Sequence, residues 1–388
     1  MTTSATSKGV GAATTASHFA STMPATMRAL YKHHAGPELR LDAARAVPTP
    51  GPRDVLIKVA KAGICGTDRH IWEWDAWAAS RIPVGITTGH EFVGHIVRVG
   101  SAVTKYQPGL RVSAEGHISP GVGYNARTGN GHIAENMVIL GVDRDGCFAE
   151  YVCVPEENVW PVHPSIPDKV AAVLDPLGNA VHTVMAANVS AKTVLITGVG
   201  IIGLMAVTVA KAAGASRIFV TDVDQKRLAL AKRLGATEAF NVYVPPPPRE
   251  PTGRAATQTG TTPEWIKEIR KLTRGDGPDV LLEMSGHPTA ISDGFSALRM
   301  GGTAALLGIP SMPFTFDLTN HIVFKAATVL GINGRKMFET WYQMEELLLG
   351  GRLELDEIIT HEVPMEKYAE GFRLMQSGEG IKVVIDVG

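Results

Sequence analysis

Two short segments carry side chains that could hold a metal ion. Cys65-Gly66-Thr67-Asp68-Arg69-His70 sets a thiol, a hydroxyl, a carboxyl and an imidazole close together, and Gly89-His90-Glu91 adds a second imidazole and carboxylate. Thiolate, imidazole and carboxylate are all good zinc ligands, and three protein ligands with one open position make a catalytic rather than a structural centre. Taken singly, Cys65 reads more readily as a small buried residue and His90 as a satisfied core histidine. Their spacing alone does not force them together.

A second constellation is suited to a dinucleotide. Gly198-Val199-Gly200-Ile201-Ile202-Gly203 follows an apolar run at 194–197 and opens a helical pattern. In such a turn the first glycine makes the bend, the second lets backbone approach a pyrophosphate, and the third lets helix pack on strand. Ile202 sits inside this fingerprint, where the free N–H groups of the helix start face the phosphates. Asp222 ends the next strand-like run, 19 residues after Gly203. A carboxylate there accepts hydrogen bonds from the adenosine ribose and repels a 2′-phosphate, which favours NAD over NADP. Arg227 lies beyond it on a helical stretch, near enough in sequence to meet the adenosine, although alone it reads as a solvated face residue.

These residues need two kinds of scaffold. Short β-rich runs at 55–60, 92–99 and 149–154, separated by Gly and Pro turns, read as a mostly β domain. From about residue 180 the pattern alternates. Strand-like runs at 194–197, 217–221, 239–242, 280–283 and 303–307 are interleaved with helical stretches at 204–213, 225–234, 265–272 and 290–298. Alternation of this kind predicts an α/β fold with a doubly wound parallel sheet. A helix at 338–349 and further short strands then return to the first domain. The expected division is a disordered Ser/Thr/Ala-rich tail at 1–26, a catalytic domain at 27–178 completed by 333–388, and a nucleotide domain at 179–332. The Pro-rich segment 245–262 reads as a surface insert in the nucleotide domain.

Composition excludes other classes. The 388 residues suit two domains, and 45% hydrophobic content supports full-sized cores. Net charge is −1, with no basic patch that would favour nucleic acid or an anionic membrane. Three cysteines, Cys65, Cys147 and Cys153, make no disulfide framework, and residues 1–26 lack the apolar core of a signal peptide. The expectation is a cytoplasmic protein, with an organelle transit peptide at 1–26 as the rival.

The stretches GICGTDRH, GHEFVG, GVGIIG and DPLGNAVHT, in that order, resemble the medium-chain zinc dehydrogenases, and the resemblance runs over 27–388 apart from the Pro-rich insert. Three further stretches, HIWEWDAWA (70–78), SAEGHI (113–118) and GRKMFETWYQM (334–344), are similar to the L-threonine 3-dehydrogenase branch of that family. The resemblance implies a GroES-like mostly β catalytic domain beside a Rossmann domain, and oxidation of a secondary alcohol with zinc and NAD. It makes Cys65, His90 and Glu91 the zinc ligands, and Thr67 and His70 a relay carrying the alcohol proton outward. Asp175 falls at an acidic position beside the zinc, where it would assist proton movement or ligate in some states. Leu307, Gly308, Ile309, Ile332 and Asn333 match backbone bordering the nicotinamide. Glu115 and His117 match the wall near the substrate, with a structural role the alternative. Family members commonly assemble as tetramers.

One departure stands out. The family usually carries a lobe with four cysteines around a structural zinc, and here the aligned positions hold Pro120, Gly123, Ala126 and Ala134. None can bind zinc, so the expectation is one catalytic zinc per subunit and no structural one. The alternatives within the family are a polyol, 2,3-butanediol or other secondary alcohol as substrate. Outside it, the rivals are a zinc-independent quinone reductase-like enzyme and a non-catalytic nucleotide-binding relative.

Overall fold

The computed structural model describes residues 23–243 and 262–388. The expected tail, except its last residues, and all but the end of the Pro-rich insert lie outside this range. Thr26–Tyr31 is already a strand, paired antiparallel with Arg40–Ala46.

Two sheets organise the chain. The catalytic sheet is built on the long strand Asp54–Gly63, which pairs antiparallel with Glu91–Val99, Tyr151–Pro155 and Lys382–Asp386. Arg111–Ala114 and Val159–Pro161 extend it on one side, and Ile359–Pro364 on the other. Period-two alternation of apolar residues puts Val55, Ile57 and Val59 into a core shared with Phe92, Ile96, Phe148, Phe372 and Ile385. The last strand therefore belongs to the first sheet, although more than 300 residues separate it from its partner.

The second sheet has six parallel strands. Their spatial order is Glu238–Asn241, Arg217–Asp222, Thr193–Thr197, Val280–Glu283, Thr303–Leu306 and Thr328–Gly331. In chain order that is 3-2-1-4-5-6, the arrangement of dinucleotide-binding sheets, with a ligand crevice where the order reverses between Thr193–Thr197 and Val280–Glu283. Helices cover both faces. Leu204 and Val207 pack on one side against Val194 and Ile196, while Ile266, Ile269 and Phe295 pack on the other against Leu195 and Leu281. A strand buried on both faces reads as a continuous apolar run, and Thr193–Thr197 is buried throughout. The sixth strand, Thr328–Gly331, is largely exposed and carries no alternation, so sequence reasoning passed it over. Among the described residues no helix is long and apolar enough to cross a membrane.

Candidate active site

The strand Asp54–Gly63 ends against the segment that holds Cys65. Cys65 caps the helix Gly66–Glu73, and its backbone N–H donates to Asp68 Oδ2 at 2.9 Å. His90 and Glu91 lie at the start of the strand Glu91–Val99, which pairs with Asp54–Gly63 so that Glu91 stands opposite Gly63. This pairing closes the sequence gap that spacing left open. Ligand atoms of Cys65, His90 and Glu91 all lie within 4.8 Å of one another. Donor atoms around a tetrahedral zinc sit roughly 3.5 Å apart, so small side-chain movements suffice for all three to bind one ion.

The surroundings of the triad also suit a cation. Glu91 Oε1 and His90 Nδ1 are buried without a hydrogen-bond partner. Asp68 is fully buried, and its Oδ1 lies 3.9 Å from His90 Nδ1. At 3.9 Å this is a charge contact and not a hydrogen bond; a carboxylate on that side of a histidine favours Nε2 as the nitrogen for a metal. Burial raises the Asp68 carboxyl to about 6 against the pull of His90. In metal-free protein burial opposes a charge on His90, but Asp68, Cys65 and Asp175 outweigh it and hold its pKa well above the ordinary value. The pocket thus favours positive charge. Thiolate, imidazole and carboxylate together match the donors zinc takes.

Thr67 and His70 follow on the same helix, one turn apart and on one face. Thr67 Oγ1 lies 3.9 Å from Cys65 Sγ. His70 is half exposed, and its Nδ1 meets Asp75 Oδ2 at 2.6 Å, which orients the ring. Asp175 sits in the first turn of the helix Leu174–Ala186, which packs between the two sheets. Glu115 is buried and fully engaged. It takes hydrogen bonds from Arg335 Nε at 2.9 Å, the His117 backbone N–H at 2.9 Å and Trp341 Nε1 at 2.8 Å, besides an ion pair with Arg335 Nη2. Burial alone would raise its carboxyl, but Arg335 and these donors hold it well below the usual range. Of the two wall positions, then, His117 is the one partly open to solvent, and Glu115 faces inward.

The glycine-rich turn lies at the carboxyl end of Thr193–Thr197, at the point of strand reversal. Gly198 has φ +84°, and a Cβ there would come within 2.7 Å of Ser285. A Cβ on Gly203 would stand 2.1 Å from the Gly198 carbonyl oxygen, whereas one on Gly200 would meet nothing within 4 Å. The middle glycine is therefore the position with open space before it. The helix Ile201–Ala212, with Ile202 in its first turn, has no side-chain cap, so its first N–H groups are free for phosphate. Asp222 accepts from Val199 N at 2.7 Å and from Asp224 N at 2.9 Å, which joins its carboxylate to the turn itself. Arg227 Nε is buried without a partner, 3.9 Å from Asp224 Oδ2.

Leu307, Gly308 and Ile309 run beside this crevice. Leu307 N and Gly308 N donate to the Glu283 carbonyl at 3.0 and 3.1 Å, and Ile309 is almost wholly exposed. Ile332 N donates to Leu306 O at 2.9 Å, and exposed Asn333 follows at the end of the sixth strand. Sequence reasoning missed Glu283, whose buried carboxylate accepts from Ser285 N and Gly286 N at 2.9 and 3.1 Å and shapes the wall opposite the glycine turn. It missed Asp68, although that residue stands inside the cysteine motif. It also missed Lys382 and Arg335, whose nearest signal was a lone cation beginning an apolar strand or standing between a glycine and another cation.

The lobe after Gly116 folds around short strands, His117–Ile118 with Val138–Ile139, and a helical turn at Tyr124–Arg127. Pro120 and Gly123 are exposed, Ala126 is half-buried and Ala134 is buried. Hydrogen bonds tie it: Asn125 Nδ2 donates to Ile133 O at 3.1 Å, Asn130 N to Asn125 O at 2.8 Å. His132 is buried edge-on to His182, and burial together with the neighbouring histidines lowers its pKa to about 4.

Residues 51–165 match the alcohol dehydrogenase GroES-like domain, and residues 202–350 match the zinc-binding dehydrogenases. An L-threonine 3-dehydrogenase of Chelativorans sp. (strain BNC1) is 47% identical over 363 residues, spanning 93% of this chain and 98% of the relative. This chain belongs to the zinc-binding dehydrogenase family. Solved structures of similar fold include a putative zinc-binding dehydrogenase from Sinorhizobium meliloti 1021 bound to NADP. It is 27% identical, with a TM-score of 0.80 over 94% of this chain and 100% of the other. An alcohol dehydrogenase from Escherichia coli CFT073 complexed with NADH is 25% identical, with a TM-score of 0.80 over 93% of this chain and 99% of the other. As a member of this zinc-binding dehydrogenase family, the chain is an oxidoreductase, with a GroES-like part that carries the triad and a Rossmann part that carries the glycine turn.

Proposed function

We propose that this dehydrogenase oxidises the secondary hydroxyl of L-threonine to give 2-amino-3-oxobutanoate, with NAD as hydride acceptor and one zinc per subunit. The observation that carries the proposal is the gathering of Cys65, His90 and Glu91 into one buried donor set, in a chain nearly half identical to an L-threonine 3-dehydrogenase over almost its full length. When bound, the zinc supplies Lewis acidity toward the alcohol oxygen, and NAD supplies the hydride acceptor.

The protein's own residues do the rest. Thr67 takes the hydroxyl proton at Oγ1, and His70, oriented by Asp75, passes it to solvent. Gly198, Gly200, Gly203 and Asp222 seat the pyrophosphate and adenosine ribose, while Leu307, Gly308, Ile309, Ile332 and Asn333, along the crevice, border the nicotinamide. The catalytic part spans 27–178 with 333–388, and the nucleotide part 179–332. Pro120, Gly123, Ala126 and Ala134 offer no ligand, so the lobe holds no second zinc.

The substrate reading is tested by NADH formation from L-threonine, sorbitol, xylitol and 2,3-butanediol under identical conditions. L-Threonine gives the highest kcat/KM; a higher value with a polyol or the diol assigns the enzyme to another branch of its family. The relay makes a separate prediction. His70→Ala lowers turnover by ~10²-fold or more, the scale of a general acid–base group, and leaves NAD binding nearly unchanged. Unaltered turnover across neutral pH would remove His70 from the proton path.

A further inference from the structure

Two buried cations from the C-terminal part of the chain hold carboxylates at or beside the metal donors: Lys382 holds Glu91, and Arg335 holds Asp175. Lys382 opens the strand Lys382–Asp386 and is 1% exposed at its side chain. Its Nζ donates to Ile64 O at 2.7 Å and to Glu91 Oε2 at 2.5 Å. Arg335 is 3% exposed, and its guanidinium bridges two carboxylates: Nε and Nη2 donate to Glu115, and Nη1 pairs with Asp175 Oδ1 at 2.7 Å. Gly178 makes room for it, because a Cβ there would lie 2.6 Å from Arg335 Cδ.

The two cations leave the same signature. Each holds one oxygen of a carboxylate, and the other oxygen, Glu91 Oε1 or Asp175 Oδ2, is buried with no donor. Glu115, on the far side of Arg335, shows no such vacancy. Leaving a buried carboxylate oxygen without a donor is costly, so its presence in pairs beside three metal donors points to a ligand. Glu91 belongs to the gathered set; Asp175 stands just outside it. Asp175 Oδ2 nevertheless lies near His90: a Cβ on Gly116 would stand 3.5 Å from Oδ2 and 3.6 Å from His90 Cβ. A fourth protein ligand would convert an open catalytic centre into a closed structural one.

We propose that Arg335 and Lys382 are positioning residues that set the ligand count of the metal. Lys382 restricts Glu91 to one oxygen. Arg335 holds Asp175 off the fourth position, which stays free for the substrate oxygen. This rests on the zinc reading given above. Removing either cation has two consequences of the same sign: a carboxylate is released toward the metal, and a positive charge that repels it is lost. The metal should therefore be held more tightly while turnover falls.

The test substitutes cobalt(II) for zinc in the full chain and reads its visible absorption, which weakens as coordination number rises, and the rate of metal loss to a chelator. Arg335→Met should weaken the absorption and slow metal release on the order of tenfold, a change of the size, but opposite in sign, of the affinity loss that follows when an ordinary outer partner of a metal ligand is removed. Lys382→Met should shift both in the same direction. Adding Asp175→Asn to Arg335→Met should return release toward the wild-type rate, because an amide is the poorer ligand. Arg335→Lys, a gentler change that keeps a cation, should slow release by a smaller factor, and it decides the matter if the methionine variant does not fold. Release from Arg335→Lys as fast as from wild type, or an unchanged spectrum in folded Arg335→Met, overturns the proposal. Failure of cobalt to bind wild type, or equal binding to Cys65→Ala, overturns the underlying zinc reading instead.

Discussion

Replacing Cys65 with alanine should remove the metal and nearly all turnover while leaving the fold in place. Cys65 supplies the thiolate of a three-donor set, and among the described residues no fourth His, Cys, Asp or Glu joins it within the same 4.8 Å. Two remaining ligands, an imidazole and a carboxylate already held by Lys382, make a weak site. Lewis acidity at a bound oxygen is worth several kcal/mol, and each 1.36 kcal/mol is tenfold in rate, so kcat should fall by ~10³-fold or more. The fold should survive because alanine loses only the thiol half of the capping box of Gly66–Glu73 and keeps the Cys65 backbone N–H donating to Asp68. Metal analysis, turnover and circular dichroism on one preparation check all three points. A folded variant that retains stoichiometric zinc and turns over within tenfold of wild type would remove Cys65 from the ligand set.

The next largest effect is expected at Asp222, and it concerns the cofactor. Both carboxylate oxygens already accept one backbone N–H, from Val199 and Asp224. An ionised carboxylate has about four acceptor sites, so two remain for the ribose hydroxyls. The same charge repels the 2′-phosphate that distinguishes NADP, which is why wild type should prefer NAD. Asp222→Ser removes charge-assisted hydrogen bonds worth roughly 3 kcal/mol together, or about 10²-fold in kcat/KM for NAD. Loss of the repulsion should leave NADP unchanged or improved, so the preference narrows. Steady-state comparison of both cofactors with both proteins reads this out. Wild type that uses NADP as well as NAD would show that Asp222 is occupied by the turn and does not select.

What could be read in the sequence follows from how local each feature is. The glycine turn, its preceding strand and Asp222 form one continuous unit, so their roles follow from neighbours along the chain. The helix Gln225–Leu234 and the strand Val280–Glu283 have the bounds that periodicity predicts, because each buries an apolar face. The exposed edge strand Thr328–Gly331 buries almost nothing and leaves no periodic trace. At the metal site, the ligands were identified through the family resemblance, since spacing alone did not unite Cys65 with His90. The strand register between Asp54–Gly63 and Glu91–Val99 is the physical reason they meet. The partners that orient the donors were harder to see. Lys382 reaches Glu91 across 291 residues and Arg335 reaches Glu115 across 220. The first depends on the return of the C-terminal strand to the first sheet, and the second on the segment that leaves the parallel sheet after Thr328–Gly331; no local pattern encodes either. Glu115 shows the same limit: its position suggested a substrate wall, and only the four donors around it show that it anchors Arg335.

The most direct test of the account is a zinc titration of metal-stripped protein, following NADH formation from L-threonine against zinc bound per subunit. The donors Cys65, His90 and Glu91 form one open site, and Pro120, Gly123, Ala126 and Ala134 supply no ligand for another. Structural zinc contributes directly to folding, so a chain with the proposed single catalytic zinc should keep its fold when stripped. The account predicts negligible NADH formation without zinc, a linear rise, and a plateau at one zinc per subunit, with circular dichroism unchanged throughout. Threonine oxidation by the metal-free protein, or a plateau at two zincs with refolding between, would contradict it.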